Sequence, residues 1–114
     1  MTEAAYPSLP IRFVIEGIVG GTFALLDTGF DGYLAVPAAL VAALPGPPRT
    51  RPIQTASGEQ IEVPVYFGTV EFVDQPGEIE ALIIAIGDEY LLGLATLNHF
   101  KVTFDHGQRV IVEQ

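Results

Sequence analysis

The sequence predicts a mostly β protein with one or two short helices, and three observations lead to that prediction. Short runs rich in β-branched and aromatic residues recur along the chain and are separated by Gly, Pro, Asp and Ser turn signals. Only residues 38–44 and 94–99 are candidates for short helices. With 114 residues and an apolar fraction of 49%, the chain has enough material for one packed core, so we expect a single domain over residues 1–114.

The first part of the chain is expected to contain three strands before the first helix. Residues 11–17 form the first, and Gly20-Gly21 then supplies a turn. Residues 22–26 are apolar almost throughout, so we expect a strand that is buried on both faces. Residues 33–36 resume strand character, and Pro37 is well placed to open the helix.

The second part is expected to consist mainly of hairpins. From residue 53 to residue 66, two extended segments flank Ala56-Ser57-Gly58-Glu59, where Ser-Gly is a turn signal, and together they predict a projecting hairpin. Further strands are expected at residues 68–73 and 79–86. A last hairpin pairs residues 101–104 with residues 109–112.

Charge and composition exclude several classes of function. The net charge of −9, from 14 acidic and 5 basic residues, would repel a phosphate backbone, so we expect no nucleic-acid partner. The absence of cysteine removes disulfides and thiolate metal sites, and it suits a cytoplasmic location. Residues 1–7 have no basic segment followed by an apolar stretch, so we expect no export. The most apolar run, residues 81–86, is too short to cross a bilayer, so we expect no membrane partner.

The segment with the clearest chemical content is Asp27-Thr28-Gly29. It directly follows the apolar strand and precedes the turn-forming residues Phe30-Asp31-Gly32, so a carboxylate is presented from the rim of the core. The tripeptide alone is weak evidence, because chance should produce it in on the order of one chain in fifty of this length. The simplest alternative for Asp27 is an aspartate that caps a turn. For Asp31, a turn cap or a structural ion pair is favoured over direct chemistry.

The order of three motifs resembles the retropepsin-like aspartic peptidases, and the run of residues 27–34 resembles the bacterial members of that family in particular. These motifs are Leu25-Leu26-Asp27-Thr28-Gly29, the hairpin around Ser57-Gly58, and Leu92-Gly93 before a short helix. The resemblance spans about residues 11–112. It implies a closed, barrel-like domain that forms a homodimer and cleaves peptide or protein substrates as an aspartic endopeptidase.

The resemblance also implies roles for individual residues. Asp27 would pair with Asp27 of a second copy across a twofold axis, since peptide hydrolysis by this route needs two carboxylates that share one proton. Thr28 would brace the two catalytic loops, and Gly29 would let the substrate backbone approach closely. Asp31 would shape a substrate pocket, and the hairpin tip at Ala56, Ser57 and Gly58 would close over bound peptide.

No cofactor or metal is expected. Asp27, Asp31 and Gly32 match parts of a calcium loop, but Gly29 and Ala38 occupy positions where that loop needs oxygen ligands. Two residues depart from the usual family pattern: Phe30 replaces a small residue, and Leu94 replaces an arginine. We therefore hypothesise that Arg12 pairs with Asp31 instead, within the chain or across the dimer.

Two alternatives to the peptidase remain open. One is a non-catalytic dimerisation or peptide-binding module that keeps the fold and its aspartate. The other, weaker alternative is a hydrolase that uses Asp27 on an ester or phosphoester, which the lack of a phosphate-cradling loop disfavours.

Overall fold

The computed structural model describes residues 7–45, 49–55, 57–99, 101–105 and 109–113. Within these ranges lie nine strands and two short helices. In chain order they are β1 (Ser8–Ile15), β2 (Ile18–Leu26), β3 (Leu34–Val36), α1 (Ala38–Val41), β4 (Arg49–Gln54), β5 (Gln60–Phe72), β6 (Gln75–Ala85), β7 (Leu91–Leu92), α2 (Leu94–Leu97), β8 (Lys101–Asp105) and β9 (Arg109–Glu113). Neither helix in the described part of the chain has the length and apolar character needed to span a membrane.

The described strands form a closed barrel with a hairpin that projects from it. Seven strands make one sheet in the order β1-β2-β7-β3-β6-β5-β4, and an additional pairing of β1 with β5 closes six of them into a ring. Strand β4 lies outside the ring, where it pairs antiparallel with the first half of β5. Strands β8 and β9 form a separate two-stranded ladder. The prediction of a mostly β, closed domain with two short helices is therefore confirmed.

Two apolar clusters hold the strands together. The larger one fills the barrel, and β1 shows its period-two pattern, because Ile11, Phe13 and Ile15 are buried while the residues between them are exposed. The smaller one lies on the other face of the sheet, around Val63, Val65 and Ile84. Phe30, from the loop that follows β2, packs against this second cluster. That contact draws the loop onto the outside of the barrel wall.

The turn between β1 and β2 is not at Gly20-Gly21, so that prediction was wrong. It is formed by Glu16 and Gly17, whose φ angles of 43° and 92° suit the two-residue hairpin that joins Ile15 to Ile18. Gly20 instead lies within β2 opposite Phe13, where a Cβ would stand 2.4 Å from the ring atom Cζ. The absence of a side chain at Gly20 therefore leaves space for the Phe13 ring and does not mark a turn.

Two further expectations about strands fail for physical reasons. Phe23 is 68% exposed, because β2 forms part of a barrel wall and only one of its faces points into the core. Strand β5 also runs unbroken through Gly68, where we expected a new strand to begin. A Cβ at Gly68 would lie 2.1 Å from the carbonyl oxygen of Val14, so this glycine permits the close β1–β5 approach that closes the barrel.

Candidate active site

Asp27 is held at the end of β2 by backbone and side-chain hydrogen bonds. Strand β2 pairs in parallel with β7, and the Asp27 N–H continues this ladder by donating to the Leu92 carbonyl over 2.9 Å. The carboxylate oxygen Oδ1 accepts the Gly29 N–H at 2.9 Å. Within the described residues Oδ2 has no hydrogen-bond partner, and the side chain is half-buried. One oxygen therefore orients the carboxylate and the other is available for chemistry. Thr28, next along, is exposed.

The loop after Asp27 is clamped by the start of α2. Three of its backbone carbonyls accept hydrogen bonds from this segment: Phe30 O from Leu94 N–H at 2.8 Å, Gly32 O from Ala95 N–H at 3.0 Å, and Tyr33 O from Gly93 N–H at 3.0 Å. Tyr33 O also accepts the Thr96 hydroxyl at 2.8 Å, and the Thr96 side chain is fully buried. Because Oγ1 of Thr96 is out of water, this bond satisfies a group that would otherwise be costly to bury.

Gly93 is the point of closest approach between the two segments. A Cβ there would lie 2.2 Å from the Gly32 carbonyl oxygen and 2.7 Å from that of Phe30. Its φ of −101° is accessible to any residue, so the requirement for glycine is steric. The Leu92-Gly93 motif seen in the sequence thus lies directly against the loop that follows Asp27.

The hairpin tip between β4 and β5 is stabilised by local contacts. The Gly58 N–H donates to the Thr55 carbonyl at 2.9 Å, and the Thr55 N–H donates to the Glu59 carbonyl at 2.8 Å. Gly58 has a left-handed backbone with φ of 87°, which explains the glycine at this position. Ser57 and Gly58 are exposed at the tip. The third predicted tip residue, Ala56, lies outside the described residues.

A cleft of about 610 Å³ separates the Asp27 loop from β4. The residues that line it come from four elements: Gly29 to Tyr33 from the loop, Arg51 to Gln54 from β4, Leu82 and Ile84 from β6, and Ala95 from α2. Two of the predicted substrate-binding residues, Gly29 and Asp31, are therefore brought to one cleft. Its opposite wall is the side of the hairpin, whereas Ser57 and Gly58 lie farther along at the tip.

The β4 residues of the cleft were missed by the sequence analysis. The sequence did contain an indication of this wall. Arg49, Arg51 and Ile53 are spaced two residues apart, so they share one face of a strand, and the chain has only five basic residues. The net charge of −9 does not reveal that two of the five cations lie on this one strand.

Arg12 does not pair with Asp31 within the described chain. Its Nε lies 3.5 Å from Oε1 of Glu71 on the adjacent strand β5, and both side chains are partly exposed. Asp31 is exposed and makes no ion pair with the residues that the structure describes. A pairing of Arg12 with Asp31 across a dimer stays a prediction. The described residues contain no group of three or more His, Asp or Glu side chains arranged to hold a metal ion.

The closed six-strand barrel, the aspartate loop at the end of β2 and the hairpin beside it define a fold of the retropepsin type. In a comparison with solved structures, the chain is similar to the solution structure of simian foamy virus (mac) protease, with a TM-score of 0.52 and 26% sequence identity. The match covers 78% of this chain and 91% of the viral one. No family model matches the chain, and no curated protein sequence matches it.

Proposed function

We propose that this protein is an aspartic endopeptidase that works as a homodimer through a pair of Asp27 carboxylates. The observation that carries the proposal is the placement of Asp27: it ends a barrel strand, one carboxylate oxygen is oriented by the Gly29 N–H, and a cleft begins two residues later. The structural similarity to a viral protease supports the same assignment.

The chemistry explains why a dimer is part of the proposal. One carboxylate takes a proton from water while a second donates a proton to the carbonyl oxygen of the peptide bond. The chain contains a single Asp-Thr-Gly sequence, so the second carboxylate would be Asp27 of another copy. A twofold axis brings identical residues together, and Thr28 would brace the two loops across it.

The cleft suits an extended peptide. Among the non-neighbouring atoms of the described residues, a Cβ at Gly29 would have only Asp27 Oδ1, at 3.2 Å, within 4 Å, so the side of Gly29 toward the cleft is open to a substrate backbone. Asp31 and the β4 wall would contact side chains, since these alternate in direction along an extended chain. The tip residues Ala56, Ser57 and Gly58 would close over the bound peptide and exclude water.

Cleavage of a diverse peptide library by wild-type protein and by Asp27→Asn tests the proposal. We expect the wild type to cleave and the variant to lose at least a thousandfold in rate while it stays dimeric by light scattering, because the substitution removes the acid–base pair. Asp74→Asn is the matched control: it makes the same change at an exposed aspartate in the turn between β5 and β6 and should leave cleavage unchanged.

The second candidate function is a non-catalytic peptide-binding or dimerisation module. One observation favours it: the Asp27–Gly29 hydrogen bond also gives Asp27 the role of a turn cap. A stable wild-type dimer that binds peptides without cleaving them would reject the peptidase and favour the binding module.

A further inference from the structure

The cleft beside Asp27 carries one charged group of each sign over an apolar floor. Asp31 stands on the loop side and Arg51 on the β4 side, while Ile53, Leu82 and Ile84 supply apolar surface. Neither Asp31 nor Arg51 makes an ion pair with any residue in the described ranges. Both charges are therefore available to a ligand.

The two arginines of β4 differ in what they contact. Arg49 and Arg51 lie on the same face of the strand, opposite Val65 and Val63 of β5. The guanidinium of Arg49 lies 5.4 Å from the centroid of the Phe67 ring, so it is engaged by the protein itself. Arg51 lines the cleft. Of the two cations, Arg51 is the one placed to meet a substrate.

The positions of the two charged groups indicate different tasks. A substrate backbone that passes the open side of Gly29 would run close to Asp31, whose short side chain can only accept hydrogen bonds when ionised, and main-chain N–H groups are donors of that kind. Substrate side chains that project away from this backbone would reach the opposite wall. There, the five N–H donors of a guanidinium match the two oxygens of a carboxylate.

We propose that Arg51 makes this cleft a subsite for an acidic side chain, so that the protein prefers substrates with Glu or Asp at one position near the scissile bond. This inference rests on the proposed peptidase function. The methylene groups of the substrate residue pack on Ile53 and Ile84, and its carboxylate pairs with Arg51. Because the net charge of −9 repels acidic peptides at long range, such a preference requires a local cation.

The test compares wild type, Arg51→Glu, Arg51→Lys and the control Arg49→Glu. The best substrate from the peptide library is resynthesised with Glu, Gln or Lys at each position around the cleaved bond, and kcat/KM is measured for every peptide. At one position we expect wild type to prefer Glu over Gln by about tenfold, the size of one charge-assisted pair. Arg51→Glu should reverse this to a preference for Lys, and Arg51→Lys should keep part of the original preference.

The Arg49→Glu control distinguishes a preference for Glu that comes from a subsite at Arg51 from one that comes from the overall charge of the protein. Arg49→Glu makes the same charge reversal two residues away on the same strand, and it should keep the preference for Glu. An unchanged profile in Arg51→Glu would overturn the inference, as would an equal loss of the preference in Arg49→Glu. Binding of the same peptides to Asp27→Asn distinguishes the two proposals. Peptide binding without a preference for Glu refutes the Arg51 subsite alone. Wild type that neither cleaves nor binds any peptide refutes the proposed peptidase function.

Discussion

The two walls of the cleft are built in opposite ways. On one side, three carbonyls of the loop after Asp27 accept four hydrogen bonds, donated by Gly93, Leu94, Ala95 and Thr96, within the described structure. On the other side, five of the six residues of β4 are exposed, and the described pairing of this strand is with β5 alone. The tip of the hairpin is bonded only by its own neighbours in the described part of the chain.

The loop of residues 28–33, which we call the rigid wall, is suited to holding Asp27 in position. Strand β4 and the hairpin tip, which we call the adaptable wall, are suited to moving. The proposed pair of Asp27 carboxylates would need a backbone held to within a fraction of an ångström, and the hydrogen bonds from Gly93 and α2 restrain the loop that follows Asp27. A wall that admits and covers a peptide needs to move, and exposed hydrogen bonds with little buried surface open at low cost.

Gly93→Ala should damage the rigid wall most. The new Cβ would collide with the backbone carbonyls of Gly32 and Phe30, which are fixed in place and cannot rotate aside. We expect a loss of about 3 kcal/mol in the free energy of unfolding, measured by urea denaturation.

Gly21→Ala is the matched control for that substitution. A Cβ at Gly21 would lie 3.5 Å from the nearest atom, the Ile11 carbonyl oxygen, which is an ordinary contact, and its strand conformation accepts alanine. We expect its stability to stay within about 0.5 kcal/mol of wild type. Equal effects of the two substitutions would show that the loop is not tightly packed on Gly93.

Thr96→Val should have an intermediate effect on the same wall. Valine keeps the shape of the side chain but removes the hydroxyl that donates to Tyr33 O, so one hydrogen bond is lost without a cavity. We expect a loss of about 1–1.5 kcal/mol in urea denaturation. Thr22→Val is the control, because the Thr22 hydroxyl makes only a long, exposed contact of 3.5 Å with the Phe23 carbonyl; a comparable loss there would contradict a special role for Thr96.

The sequence predicted the rigid wall better than the adaptable one, for a physical reason. Asp27 and Gly29 follow from local needs, a capped turn and an open backbone, whereas Leu92-Gly93 was predicted through the resemblance to the retropepsin-like family, because the close contact of Gly93 is with the distant residues Gly32 and Phe30. Arg51 carries no such local signature. Its place in the cleft arises only when β4 folds back along β5 and faces Asp31, which depends on the register of the hairpin.

Glycines were also ambiguous in the sequence. The sequence pattern predicts a turn at Gly20 and a strand boundary at Gly68, yet both residues lie inside strands, where they make room for the Phe13 ring and the Val14 carbonyl. A turn glycine and a close-packing glycine look alike in one sequence, because the atom that needs the space belongs to a distant segment. Exposed Phe23 was misjudged for a related reason, since apolar continuity does not reveal which face of a strand is covered.

Gly58→Ala should have the smallest effect on global stability and should act only on the adaptable wall. Among the atoms of the described residues, a Cβ at Gly58 meets only Gln54 Nε2, at 3.9 Å, so the cost of about 1 kcal/mol comes from the left-handed backbone and not from a clash. Because this cost falls on the folded state, we expect the free energy of unfolding in urea to drop by no more than about 1 kcal/mol, well below the loss in Gly93→Ala, while hydrogen exchange of the Thr55 N–H accelerates about fivefold. Gly58→Asn, which tolerates this backbone, should exchange nearly as slowly as wild type. If Gly58→Ala instead lowered the urea midpoint as much as Gly93→Ala, the hairpin would be part of the same cooperative unit as the Asp27 loop, and the contrast between the two walls would fail.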